Sequence, residues 1–162
     1  MPREIEVDLF SDTVTKPTLE MRRFLCDAEV GDEQLGEDPT VNLLQEMVAD
    51  LLGKEAAVYL PSGTMCNEIA FAVHCRPGDE ILMDRTAHPL NYEAGGPAAI
   101  TGALIRPLEG ARGIFTAQQV AAAIREPCRY FPRSRVVSVE QPTNLGGGAC
   151  WPLRAVEEVC ET

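Results

Sequence analysis

Residues 60–68 read "LPSGTMCNE" and close the apolar run "AAVYL", Ala56 to Leu60. The run has the length and apolar density of a strand buried on both faces. Ser62-Gly63-Thr64 forms a short polar turn, and Thr64 to His74 reads as a helix. Strand, turn and helix in that order leave the first free amides of a helix beside two hydroxyls. Such amides, at the positive end of the helix dipole, attract anions. Gly63 permits close approach to the backbone, and the hydroxyls of Ser62 and Thr64 can donate to phosphate oxygens. Two readings stand side by side: Ser62 or Thr64 caps its own helix, or the turn cradles a phosphate. A Walker loop is excluded, because no lysine follows the glycine in the GKS or GKT pattern.

Outward from this turn, strands and helices alternate. Upstream, Asp38 is placed as an N-cap with Pro39 at the first helical position. Val41, Leu44, Met47, Val48, Leu51 and Leu52 follow at helical spacing, and Gly53 ends the helix. Before it, "VDLFSDTVTKP" reads as extended chain, a short helix runs through Leu19, Met21 and Phe24, and "VGDEQLGEDP" is a loop. Downstream, "ILMD", Ala103 to Ile105 and "RVVSVE" (Arg135 to Glu140) are strands. Helices are expected from Thr116 through Ile124 and through Leu153, Val156 and Val159. The fold class that follows is α/β, a mostly parallel sheet flanked by helices. The final helical pattern runs into Thr162 without a cap, so the chain is expected to be truncated.

Composition narrows the function. The 162 residues are 45% apolar and 24% charged, with a net charge of −11. That charge argues against a nucleic-acid or acidic-membrane surface, since phosphates are gathered by clustered Lys and Arg. No apolar run approaches the roughly 20 residues that span a bilayer, and the first residues lack the apolar core of a secretion signal. A cytoplasmic location is the expectation. The six cysteines form no CxxC pair, which points to reduced, mostly buried thiols rather than metal or redox chemistry. No metal site is expected.

Two histidines compete for a role. His88 follows the strand "ILMD" by a few residues, on the side of a parallel sheet where ligands bind. His74 sits at a helix C-terminus, where an imidazole can simply meet a carbonyl. A lone histidine is more often structural than catalytic; position favours His88. Glu93 is read first as a turn cap and second as a group that orients His88 or a cofactor hydroxyl. Thr143 and Asn144 fall on the same side of the sheet, and the triple glycine after Leu145 is unreadable alone.

Taken together, these stretches resemble the low-specificity L-threonine aldolases, pyridoxal-phosphate enzymes of fold type I in the aspartate-aminotransferase-like superfamily. "DLFSDTVTKP" is similar to the family's DLRSDTVT opening, and "VGDEQLGEDPTVNLLQE" to its VGDDxYGxDPTVxxLQ segment. "GKEAAVYLPSGTMCN", "HPLNYEAGG" and "EQPTNLGGG" resemble its GKEAALFxPTGTMAN, HxxxxEAGG and ENTHNxGGG stretches. The resemblance implies a partial pyridoxal-phosphate-binding large domain, an incomplete PLP-transferase-like fold. It has an N-terminal arm over about 1–40 and an α/β core over about 41–162. It implies that Ser62, Gly63 and Thr64 bind the 5′-phosphate of pyridoxal phosphate. His88 would stack on the pyridine ring and move the proton of the substrate hydroxyl, and Ser11 would lie near the substrate carboxylate. The reaction implied is cleavage of a β-hydroxy amino acid, L-threonine or L-allo-threonine, to glycine and an aldehyde, in a homo-oligomer.

The departures carry equal information. Phe10 stands where the family has Arg, Leu35 where it has Tyr, and Tyr130 where some members have a second active-site His. Pro142 and Thr143 alter the ENTHN loop. The lysines, Lys16 and Lys54, do not match the family's Schiff-base position. The chain by itself is therefore expected to be inactive. Two alternatives stay open, a truncated non-catalytic relative that serves only in structure or binding, and another fold-type-I lyase.

Overall fold

A computed structural model describes residues 7–162. The chain divides into two compact units, one ending at Tyr59 and one running from Leu60 to Thr162.

The first unit is helical. A short 3-10 turn, Asp12–Val14, interrupts the segment read as extended. Helix α1 spans Leu19–Asp27 behind a Thr18 cap, and a second 3-10 turn, Glu33–Leu35, sits inside the expected loop. Helix α2, Pro39–Leu52, follows the sequence closely. The Asp38 carboxylate accepts from the Val41 N–H, and Gly53 closes the helix with φ 60°. A second Asp38 oxygen accepts from the Gly31 N–H at 3.0 Å. These backbone donors favour the ionised form and hold the Asp38 carboxyl below its usual range.

The second unit carries the sheet. Strand β1 (Glu80–Asp84) lies between β2 (Leu104–Leu108) and β3 (Ser134–Ser138), and both pairings are parallel. Along β1 every residue is buried, because helices cover both faces. Leu82 points into a cluster with Phe115, Trp151, Val120 of α5 (Ala117–Ala123) and Val159 of α6 (Leu153–Cys160). Ile81 and Met83 point the other way, toward Phe71 and Cys75 at the end of α3 (Gly63–His74). This alternation is the two-residue period of a strand applied to two cores at once. Ile81, Leu82 and Met83 are fully excluded from solvent, and each such burial stabilises the fold by roughly 1.5–3 kcal/mol. Helix α5 opens with a reciprocal capping box between Thr116 and Gln119.

Two expectations are corrected. "AAVYL" is not a strand: residues 56–60 pair with no strand among those described, and Val58 and Tyr59 are 68% and 51% exposed. The Tyr59 N–H donates instead to Gln45 Oε1 at 2.9 Å. Apolar density encodes a wish for burial and leaves the backbone partner unspecified. The cysteines are all free, but only Cys75 is buried. The other thiols sit on helix or loop surfaces, since spacing alone does not fix which side of an element a residue occupies. Burial, together with the Asp79 charge, pushes the Cys75 thiol above its usual range.

Candidate active site

The carboxyl ends of β1 and β3 are stitched by carboxylates. Asp84, the last residue of β1, accepts from the Thr86 N–H (2.8 Å) and hydroxyl (2.6 Å), and from the Gly110 N–H after β2 (2.7 Å). Glu140, two residues beyond β3, accepts from the His88 N–H through Oε1 and from the Asn144 N–H through Oε2, both at 2.8 Å. His88 opens the short helix α4, His88–Asn91, so the start of that helix is tied to the end of β3.

Its ring is pinned as well. His88 Nδ1 lies 2.7 Å from Glu93 Oε1, and that same oxygen accepts from Asn67 Nδ2 at 2.7 Å. The Glu93 side chain is wholly buried, whereas that of His88 is 41% exposed. Glu93 is therefore the group that orients His88, and the turn-cap reading is set aside. As an acceptor-only carboxylate it keeps a proton on Nδ1 and leaves Nε2 as the free nitrogen of the neutral ring. The Tyr92 ring stands 5.5 Å from His88 at a 47° tilt.

Asn67 ties this histidine to α3. It lies one turn beyond Gly63, roughly 6 Å along the helix axis. At the helix start, Ser62 is the N-cap and its hydroxyl accepts from the Met65 N–H at 3.1 Å. The Cys66 N–H is taken by the Ser62 carbonyl. Neither Gly63 N–H nor Thr64 N–H has an acceptor among the described residues. A side chain built at Gly63 would meet no atom within 4 Å. Two unpaired amides beside the Thr64 hydroxyl form a donor set that suits a phosphate. Ser62 itself is committed to the cap.

Other candidates fall elsewhere. Ser11 lies in the first unit, where its hydroxyl accepts from Thr13 N (3.2 Å) and Thr13 Oγ1 (2.8 Å). His74 closes α3, and its carbonyl accepts from Arg135 Nε at 3.1 Å. Thr143 is buried and bonds to Ala149 through its N–H and hydroxyl, which makes it a loop brace. Gly146 is explained by crowding, since a Cβ there would sit 2.0 Å from the Arg112 carbonyl oxygen. Among the described residues no three His, Cys, Asp or Glu side chains are grouped as a metal site, and no helix is long and apolar enough to cross a membrane.

Asn67 and Glu140 are the supports of His88 to which sequence reading gave no role, although both stand inside the quoted stretches "GKEAAVYLPSGTMCN" and "EQPTNLGGG".

Known proteins resemble this chain over most of its length. The chain is 40% identical over 159 residues to low-specificity L-threonine aldolase 1 of Arabidopsis thaliana, covering 96% of this chain and 44% of that protein. It is 38% identical over 156 residues to the low specificity L-threonine aldolase of Escherichia coli K12, covering 96% and 46% respectively. It thus spans less than half the length of these relatives. The structure superposes on the threonine aldolase of Leishmania major with a TM-score of 0.73 at 18% identity, over 88% of this chain and 41% of that one. At that identity the likeness speaks for the fold. The family model described as beta-eliminating lyase matches residues 8–162, and the chain belongs to that family.

Proposed function

We propose that these residues supply part of a threonine-aldolase-type active site, in which the Gly63 and Thr64 amides and the Thr64 hydroxyl hold the phosphate of pyridoxal phosphate. Ser62 shapes the turn. When bound, that coenzyme supplies an electron sink for the pair released as the substrate Cα–Cβ bond breaks. His88 would face the bound coenzyme and, through Nε2, would take the proton from the β-hydroxyl of a threonine-type substrate. Glu93 and Asn67 set the ring's orientation and tautomer. Ser11 is assigned to the substrate carboxylate, and a cytoplasmic homo-oligomer is the assembly this reading takes. The arm over about 1–40 and the α/β core over about 41–162 remain its domain division.

The observation that carries the reading is the chain of contacts from His88 through Glu93 to Asn67. It links a solvent-accessible imidazole to the opening turns of a helix whose first amides are free. The test pairs T64A with H88A in the protein as it occurs. T64A is expected to weaken coenzyme uptake in calorimetry. H88A is expected to lower glycine formation from L-threonine and L-allo-threonine about 10²–10⁴-fold, the range for a lost general base. Unchanged uptake and turnover in both variants would sink the assignment.

A further inference from the structure

Behind His88 lies a carboxyl group that the proposed reaction does not use. Glu68 is 6% exposed, one residue after Asn67 on α3. Neither of its oxygens has a hydrogen-bond donor, and Glu93 Oε2 has none either. Buried polar atoms in folded proteins nearly always find partners. Three orphaned carboxyl oxygens in one place therefore call for a missing hydrogen.

The surroundings are built for this carboxyl. Gly96 faces it so closely that a Cβ there would lie 2.2 Å from Glu68 Oε1 and 2.5 Å from its carboxyl carbon. The second glycine of "EAGG" is thus the space that Glu68 fills. Burial first, and then the neighbouring Glu93 carboxylate, push the Glu68 carboxyl above its ordinary range. No cation faces it. The Pro97–Thr101 turn packed on α3 carries no titratable side chain, and Arg135 of β3 bonds to the carbonyl of His74 at the far end of α3.

We infer that Glu68 and Glu93 share one proton, with Glu68 as the carboxylic acid whose O–H donates to Glu93 Oε2. One hydrogen then satisfies an orphan on each residue, and the pair carries a single negative charge instead of two. The consequence runs forward to His88. With Oε2 occupied by the Glu68 proton, Glu93 presents Oε1 to Asn67 and to His88 Nδ1. Glu68 is a positioning residue: it touches neither substrate nor coenzyme and acts through Glu93. This deepens the proposed role of His88 and rests on it for its functional meaning, although the shared proton itself does not.

The test is a carboxyl ¹³C titration of the glutamate-labelled protein without coenzyme, together with ¹⁵N spectra that report the His88 tautomer. Wild type is expected to show one glutamate titrating above the ordinary range. That signal should vanish in E68Q and move downward in E93Q, where the neighbouring charge is gone. The Nδ1-protonated signature of His88 should persist in E68Q, whose amide can still donate to Glu93, and be lost in E68L, which keeps bulk but has no donor. Glu68 titrating in the ordinary range would overturn the inference. So would a midpoint indifferent to E93Q, or E68L spectra identical to wild type. A thermal shift on adding Mg²⁺ or Ca²⁺ that disappears in E68Q would also overturn it, since a cation would then hold the pair. Because both readouts are taken without coenzyme, their failure is separate from the failure of T64A to affect coenzyme uptake.

Discussion

The two ends of the parallel sheet treat buried carboxylates in opposite ways. At the amino end, Glu80 meets Arg125 Nε at 3.1 Å and Ser134 Oγ at 3.1 Å, with Arg106 at 3.7 Å. Asp79 beside it is gripped by Arg133 at 2.8 and 3.0 Å. At the carboxyl end, Asp84, Glu93 and Glu68 are equally buried, and none meets an arginine or lysine among the described residues. Charge that is cancelled locally serves the fold. Charge held by amides, an imidazole and a neighbouring acid stays available to act on what arrives. Under the proposed function, the difference marks one end as structural and the other as chemical.

Removing a cation at the amino end is expected to have the largest effect on stability. R125A leaves Glu80 buried with Ser134 and a distant Arg106, and should destabilise by about 3 kcal/mol, the low end for breaking a buried pair. A urea midpoint unchanged from wild type would show that this end is not the structural one. A second change tests the packing of the carboxyl end. G96A keeps an ordinary helical backbone, φ −50°, but drives a methyl into Glu68, at a cost of about 2 kcal/mol for overpacking. Adding E68A should recover much of that loss, because the clashing carboxyl is gone. Additive losses in the double variant would mean that Gly96 and Glu68 do not compete for the same space.

How much of this was legible follows from what each signal encodes. Helix α2 could be read to the residue because capping is local: Asp38, Pro39 and Gly53 each act within a turn of their own position. Strand β1 was legible because burial on both faces leaves an unbroken apolar run. "AAVYL" has the same composition and forms no strand, since pairing depends on a distant partner that composition cannot name. At the site, His88 was found from its place after a strand. Glu93, five residues on, was readable as a possible partner of its ring, whereas the remaining supports were hidden because each is a long-range contact. Glu140 is 52 residues from His88, and Asn67 is 26 from Glu93. Family resemblance brought Gly63, Thr64 and His88 together in advance, but gave no reason for Glu68, whose meaning appears only when Gly96 is seen facing it.

The smallest expected effect is also the sharpest contrast, because the two ends should answer pH with opposite signs. The Arg133 guanidinium and the Arg76 N–H hold the Asp79 carboxyl below its usual value of 3.8. Its contribution is therefore present in full above that value and is lost as pH falls through the lowered native one. Glu68 is shifted the other way. Its contribution is complete below the usual 4.5 and is lost as pH rises through the raised native value. D79N should accordingly flatten the acid limb of a plot of melting temperature against pH, while E68Q should flatten a decline above pH 4.5. The Asp79 effect should be modest and should shrink in salt, because Arg133 is 59% exposed and its pairing is screened. The Glu68 effect should resist salt, since no exposed charge takes part. Equal salt sensitivity at the two ends would break the distinction between a paired structural edge and an acid pair closed off from solvent.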